Sequence, residues 1–222
     1  MNAINAMNFW DEAFAAPGYK YGTEPNVFLR EQAARFTPRS KVLVPGDGEG
    51  RNGVWLAGQG HSVLSVDSST VGLRKARELA KTKGITLRAL QADLAEWAPA
   101  PASADVVVLT YVHLPEPLRH TVHRTLAKAL KPGGWLLLEA FNPQQLQCSS
   151  GGPKDAALLY TLEQLRSDFA DLLTEDTAQS QECAVELDEG TGHHGAAQVV
   201  RWLGRAPIDP ATQPRPLYSG SY

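Results

Sequence analysis

Two cysteines in 222 residues, Cys148 and Cys183, are too few and too far apart for a disulfide framework or a metal-ligand spacing. Both are expected to be free thiols in a reducing cytoplasm. No segment approaches the ~20 consecutive apolar residues that span a bilayer. Met1 to Asn8 lacks the charged start and apolar core of a secretory signal. Basic runs are also missing: 21 Lys and Arg against 24 Asp and Glu leave a formal charge of −3, without the electrostatic footprint that nucleic acid needs. The expected partners are small molecules, with no nucleic acid and no membrane. Repeats, heptads and exposed apolar stripes are not evident, so the oligomeric state is not legible.

What is present is an alternation of short apolar runs and helical patterns, long enough for one large α/β domain. Val42–Val44, His61–Val66, Ile85–Leu90, Ala104–Thr110 and Trp135–Phe141 read as strands. Asn52–Gln59, Thr70–Lys83 and Glu116–Leu130 read as the helices between them, and Lys131-Pro-Gly-Gly134 ends the last. Cys183–Leu187 and Gln198–Leu203 suit a later antiparallel pair. The fold expected is α/β, a doubly wound Rossmann-like sheet of seven strands, mostly parallel with an antiparallel last strand. Residues 1–40 are expected as an N-terminal helical lid segment, 41–205 as the catalytic domain, and 206–222, with Pro207, Pro210, Pro214 and Pro216, as a tail.

The first strand ends in Pro45-Gly46-Asp47-Gly48-Glu49-Gly50-Arg51-Asn52. Glycine admits positive φ and close approach by a ligand, and the following helix start offers unpaired N–H groups to an anion. In the dinucleotide fingerprint a further glycine would stand where this chain has Arg51, so a nicotinamide cofactor is disfavoured. Asp67 ends the second strand, about 20 residues past the first glycine, where a ribose-binding acid is expected. Asp93 follows the third strand, where an acid can accept from the exocyclic amine of adenine. Together these residues point to S-adenosylmethionine. Thr110, Tyr111, His113 and Phe141 also fall at or near strand ends, where open parallel sheets bind ligands.

Roughly Phe28 to Phe141 resembles the class I S-adenosylmethionine-dependent methyltransferases. Gly48-Glu-Gly-Arg-Asn52, Trp10-Asp-Glu-Ala-Phe14, Tyr19-Lys-Tyr-Gly-Thr-Glu-Pro-Asn26, Asn142-Pro-Gln-Gln-Leu-Gln147 and Gly151-Gly-Pro-Lys-Asp155 are similar to the tellurite-resistance (TehB-like) branch. The resemblance implies that Gly46, Gly48 and Gly50 pass under the methionine part, that Asp67 holds the ribose, and that Asp93 with Leu94 holds adenine. Asp47, Asn52, Ser68, Thr110 and Tyr21 complete the cofactor-binding set expected on this basis. Many members have an acid where this chain has Val44, and Asp47 or Glu49 is the candidate replacement.

Methyl transfer needs a general base only if the acceptor arrives protonated. His113, His193 and His194 are the candidates, the last two in a late loop, and each is otherwise a surface or structural histidine. Arg51 is a candidate to attract an oxyanion, or else a salt-bridge partner of Glu49 or another acid. Arg201 is a weaker candidate of the same kind. His120 and His123 stand at i, i+3 without an evident third ligand, so no metal is expected. Tyr19 and Tyr21 are candidates to cover the cofactor, and Trp10 with Phe14 to pack a helix onto the domain. The expected activity is methyl transfer to a small soft or oxyanionic acceptor of the tellurite, selenite or thiol class. The alternatives are a protein methyltransferase and a non-catalytic S-adenosylmethionine-binding sensor or scaffold.

Overall fold

The computed structural model describes residues 9–208. A short helix α1 over residues 9–13 and α2 (Val27–Gln32) precede the sheet. The chain then alternates: β1 (Lys41–Pro45), α3 (Arg51–Gly58), β2 (Ser62–Asp67), α4 (Thr70–Thr82), β3 (Arg88–Gln91), β4 (Ala104–Thr110), α5 (Leu118–Lys128) and β5 (Leu130–Phe141). It closes with α6 (Leu162–Phe169), β6 (Thr174–Glu175), β7 (Gln181–Glu189) and β8 (His193–Arg205). One sheet holds all eight strands in the order β3-β2-β1-β4-β5-β8-β6, with β7 also on β8. β1 to β5 run parallel, and β8 runs antiparallel to β5.

The eighth strand is the two-residue β6, which pairs with Gly204 and Arg205 while β7 pairs with residues 193–201 of the same strand. Two short segments thus share the sheet edge at which one strand was expected.

Alternation with period two sends β-strand side chains to opposite faces. Val42, Val44, Val106, Val108 and Leu137 pack against Phe28, Leu29 and Leu56, from α2 and α3. Leu43, Val107, Leu109, Leu136 and Leu138 pack against Val122, Leu126, Leu165 and Phe169, from α5 and α6. Helices therefore cover both faces, and Val106 to Leu109 are at most 1% exposed, as a central parallel strand requires.

Several expected boundaries move for identifiable reasons. β3 starts at Arg88 because Ile85 and Leu87 leave the ladder to pack with Val54, Leu79 and Ala80. α5 begins after Pro117, which lacks an N–H to continue the preceding chain. β5 already begins at Leu130. Its register on β4 jumps from Ala104↔Leu130 to Val106↔Trp135, and the extra residues bulge out with Lys131 paired to Asp105 at 2.7 Å. α6 was not foreseen, although Thr161 and Gln164 form its capping box and were readable as T-x-x-Q. Among the described residues no helix is long and apolar enough to cross a membrane. Most of the proline-rich tail lies outside the described residues; Ala206 is still domain, buried and bonded through its N–H to the Gly134 carbonyl.

Candidate active site

The carboxyl ends of β1, β2 and β3 carry the glycine turn, Asp67 and Asp93 side by side. Gly46, Gly48 and Gly50 all take positive φ, at 66°, 54° and 86°. A Cβ on Gly46 would lie 2.5 Å from Val112, and one on Gly48 would lie 2.9 Å from the Phe14 ring. Gly50 serves the helices instead: its Cβ would lie 2.5 Å from that of Ala76, so α3 and α4 approach there through a missing side chain.

Asp67 is buried, and its two oxygens accept from the N–H groups of Gly48 and Ser69, each at 2.8 Å. A carboxylate has about four acceptor directions, which leaves two for a pair of ribose hydroxyls. Asp93 accepts from the Ala95 N–H at 2.8 Å through one oxygen, beside the half-buried Leu94. Ser68 is half-buried between Asp67 and Ser69, and its carbonyl accepts from Gln91. This cradle fits a nucleoside-bearing cofactor.

The segment before the sheet straps over that cradle. Phe14 is buried between Gly48 and Gly72 and stacks on Trp10 at 5.4 Å. Asp11 accepts from the Ser69 and Thr70 hydroxyls and the Val71 N–H, which caps α4. Lys75 bonds the Ala16 and Gly18 carbonyls and pairs with Glu49 at 2.8 Å. Tyr19 bonds the Lys75 carbonyl, and the Lys20 carbonyl accepts from Gly192.

A second cluster lies at the ends of β5, β7 and β8. His193 is the first residue of β8 rather than part of a loop, paired in register with Glu189 at the end of β7. Glu189 accepts from Arg51 Nη2 at 2.9 Å and from His193 Nδ1 at 3.2 Å through the same oxygen. Burial alone would raise Glu189, but the His193 hydrogen bond and the Arg51 charge outweigh it and hold the acid down at about 2. An ionised Glu189 can only accept, so Nδ1 carries the imidazole proton and Nε2 keeps its lone pair. Burial lowers His193 below its ordinary value despite Glu189, which keeps it neutral at pH 7. Tyr21, Tyr111 and Phe141 surround its ring with centroids at 4.3, 4.5 and 5.1 Å. Burial, with Glu49, pushes Tyr21 up to about 12, so it stays a phenol.

Glu139 ties this cluster to the core. It accepts from Asn26 at 2.6 Å, from the Tyr111 hydroxyl at 2.9 Å and from Arg201 at 2.6 Å. Asn52 accepts from the Asn26 N–H and donates to Thr110 at 2.7 Å. Asn52 and Thr110 therefore brace the start of α3 against the end of β4. Tyr111 has φ 55°, a conformation that costs a non-glycine residue about 1–3 kcal/mol.

Other sequence candidates fall elsewhere. His113 has both ring nitrogens engaged, Nδ1 with the Leu158 carbonyl at 2.6 Å and Nε2 with the Phe141 N–H at 3.4 Å. Burial pushes it down to about 4, so it braces the loop after β4 and has no lone pair left for a base. His194 is exposed beside Asp188. His120, His123 and Arg119 converge on Asp168, which ties α5 to α6. Among the described residues no group of three acids, histidines or cysteines is placed to hold a metal.

Asp47 points beneath α3 to Ser65 and to the Gly53 N–H, and Glu49 is spent on Lys75 and the Lys20 N–H. Val44 is itself core. Sequence reading missed Glu139, Glu189 and Asn26. An acid inside the apolar run Trp135–Phe141 was the available signal for the first.

Residues 42–134 match the family model of a methyltransferase domain. No curated protein matches the chain significantly. Among solved structures it is similar to a protein described for the conversion of a disulfide bond into a thioacetal group during echinomycin biosynthesis. That match has 18% identity and TM-score 0.72 over 92% of this chain and 93% of that one. TehB from Haemophilus influenzae aligns at 18% identity and TM-score 0.66, over 90% of this chain and 66% of that one. N-methyltransferase NodS from Bradyrhizobium japonicum WM9, in complex with S-adenosyl-L-homocysteine, aligns at 17% and 0.65, over 91% and 99%. At such identities the likeness is one of fold. The family match identifies residues 42–134 as a methyltransferase domain, and the strand order agrees with the fold of these structures.

Proposed function

We propose that the enzyme methylates a small acceptor at a soft atom that arrives protonated, a thiol or its heavier analogue, with His193 as general base. The single observation that carries this is the neutral imidazole whose Nδ1 is fixed by Glu189 and whose Nε2 has no hydrogen-bond partner among the described residues. Glu189 orients the ring and stabilises the imidazolium formed when Nε2 takes the acceptor's proton. Tyr21, Tyr111 and Phe141 exclude water around that ring, and the strap from Trp10 to Tyr21 closes the cofactor cradle.

On this reading Gly46 and Gly48 lie under the methionine part, Asp67 holds the ribose, and Asp93 with Leu94 holds adenine. S-adenosylmethionine bound there supplies a methyl group on a sulfonium with a neutral thioether as leaving group. Orientation then carries much of the rate, up to about 7–11 kcal/mol when ideal. Among the similar structures, the conversion of a disulfide into a thioacetal supports a thiol class, and NodS, an N-methyltransferase, supports an amine.

The test is transfer of labelled methyl to thiols, selenite, tellurite, amines and protein extract. Transfer to small thiols that is lost in His193→Gln is the expected result. Transfer only to protein would replace this reading with the macromolecular one, and tight cofactor binding without any transfer would favour the sensor.

A further inference from the structure

Arg51 is 7% exposed, and only one arm of its fork is used: Nη2 pairs with Glu189, while Nη1 is fully buried with no acceptor among the described residues. Folded proteins rarely leave a buried donor in that state, so its acceptor is expected to arrive with a ligand. The neighbouring carboxylates are already committed, Glu139 to Arg201 and Glu49 to Lys75. Arg51 is also the first residue of α3, whose N-cap Gly50 offers no capping side chain, so the positive end of the helix dipole lies at the same place. One oxygen of Glu189 bridges Arg51 and His193, which makes guanidinium and imidazole immediate neighbours.

We propose that the methyl acceptor carries an anionic oxygen group close to its nucleophilic atom, as in a short mercapto-carboxylate. Arg51 Nη1 holds that group while His193 Nε2 takes the proton from the nucleophile. The proposal rests on the His193 reading for the second half of that statement only. A guanidinium suits it better than an ammonium would, because its two arms serve Glu189 and the ligand at once in a fixed plane.

The experiment compares 3-mercaptopropionate, 2-mercaptoethanol and cysteamine as acceptors, with rates corrected for thiol acidity. In parallel, calorimetry measures binding of 3-mercaptopropionate to enzyme loaded with S-adenosylhomocysteine. Wild type should prefer the anionic thiol over the neutral one by tenfold or more in kcat/KM and reject the cationic one. Arg51→Gln should flatten the series and weaken 3-mercaptopropionate binding at least tenfold. Because Arg51→Gln leaves Glu189 without its charge partner, Arg51→Lys is the second variant. It keeps that pair, lacks the second arm, and should show the same flattening.

A flat series in wild type, or an equal loss for all three thiols in both variants, overturns the proposal. So does a loss of S-adenosylhomocysteine affinity with none for methylthioadenosine, since the cofactor's own carboxylate would then be the partner of Nη1. Arg51-dependent preference for the anionic thiol with turnover undiminished in His193→Gln would overturn the base assignment and leave this proposal standing, and Arg51-dependent binding without any turnover would overturn it.

Discussion

The two halves of the site are built from different materials. The proposed cofactor half spans Gly46 to Asp93 and consists of backbone conformation plus two acids, held by contacts such as Gly48 to Asp67 across 19 positions. The proposed acceptor half is a network of side chains from distant places: Arg51 meets Glu189 across 138 positions, and Asn26 meets Glu139 across 113. A backbone cradle is encoded by local spacing, because glycine and strand ends dictate it directly. A side-chain network exists only after the sheet sets β5, β7 and β8 beside α3.

If the halves are separable, the largest effect comes from the acceptor side. Removing a positioned general base typically costs ~10²–10⁴ in rate. His193→Gln should therefore lower kcat for a thiol by that order while leaving the affinity for S-adenosylhomocysteine unchanged, as read by calorimetry. An equal loss of cofactor affinity would show that the two halves act as one.

Breaking the cofactor half through its backbone should have a smaller effect, and on stability rather than chemistry. Gly50→Ala places a Cβ at φ 86° and 2.5 Å from the Cβ of Ala76. Left-handed strain and overpacking each cost about 1–3 kcal/mol, so the loss in a denaturant titration should be about 2 kcal/mol or more. Unchanged stability would mean that α3 and α4 do not need their close approach.

Asp67→Ala tests the same half through a side chain. Each charged hydrogen bond to a ribose hydroxyl contributes about 1.5–3 kcal/mol, so S-adenosylhomocysteine affinity should fall by more than tenfold. Affinity within a factor of two of wild type would remove Asp67 from the site.

The same division explains what the sequence disclosed. The fold was legible because β1, β2, β4 and β5 carry apolar runs, and Asp67 and Asp93 stand where the second and third strands give out. Arg51 and His193 were singled out as residue types, but not as partners, since nothing near Arg51 in sequence announces Glu189. His113 had the right address, after β4, and the wrong environment: only the packed structure shows its nitrogens satisfied by Leu158 and Phe141. Asp47 had the right neighbours in sequence, but its side chain turns under α3 toward Ser65.

The smallest predicted effect distinguishes the halves by acidity. Burial pushes Asp67 up to about 6 and Asp47 up to about 7, whereas Glu189 stays near 2 despite its burial. A carboxylate that must accept from ribose hydroxyls is lost as pH falls through its pKa. Cofactor affinity should hence be level above pH 7 and fall about tenfold per unit, or 1.36 kcal/mol, below pH 6. Stability carries the opposite sign for these acids. Their folded pKa lies above the unfolded one, so the folded state binds the proton more tightly and gains stability as pH falls toward 4. His113, His123 and His193, held neutral by burial, lose stability over the same window and mask that gain. Affinity is therefore the readout. Asp67→Asn, already neutral, should bind weakly with little pH dependence between 5 and 7, whereas Asp47→Asn should keep the fall below pH 6. A slope that survives in Asp67→Asn and vanishes in Asp47→Asn would transfer the acid sensitivity from the ribose contact to the carboxyl beneath α3.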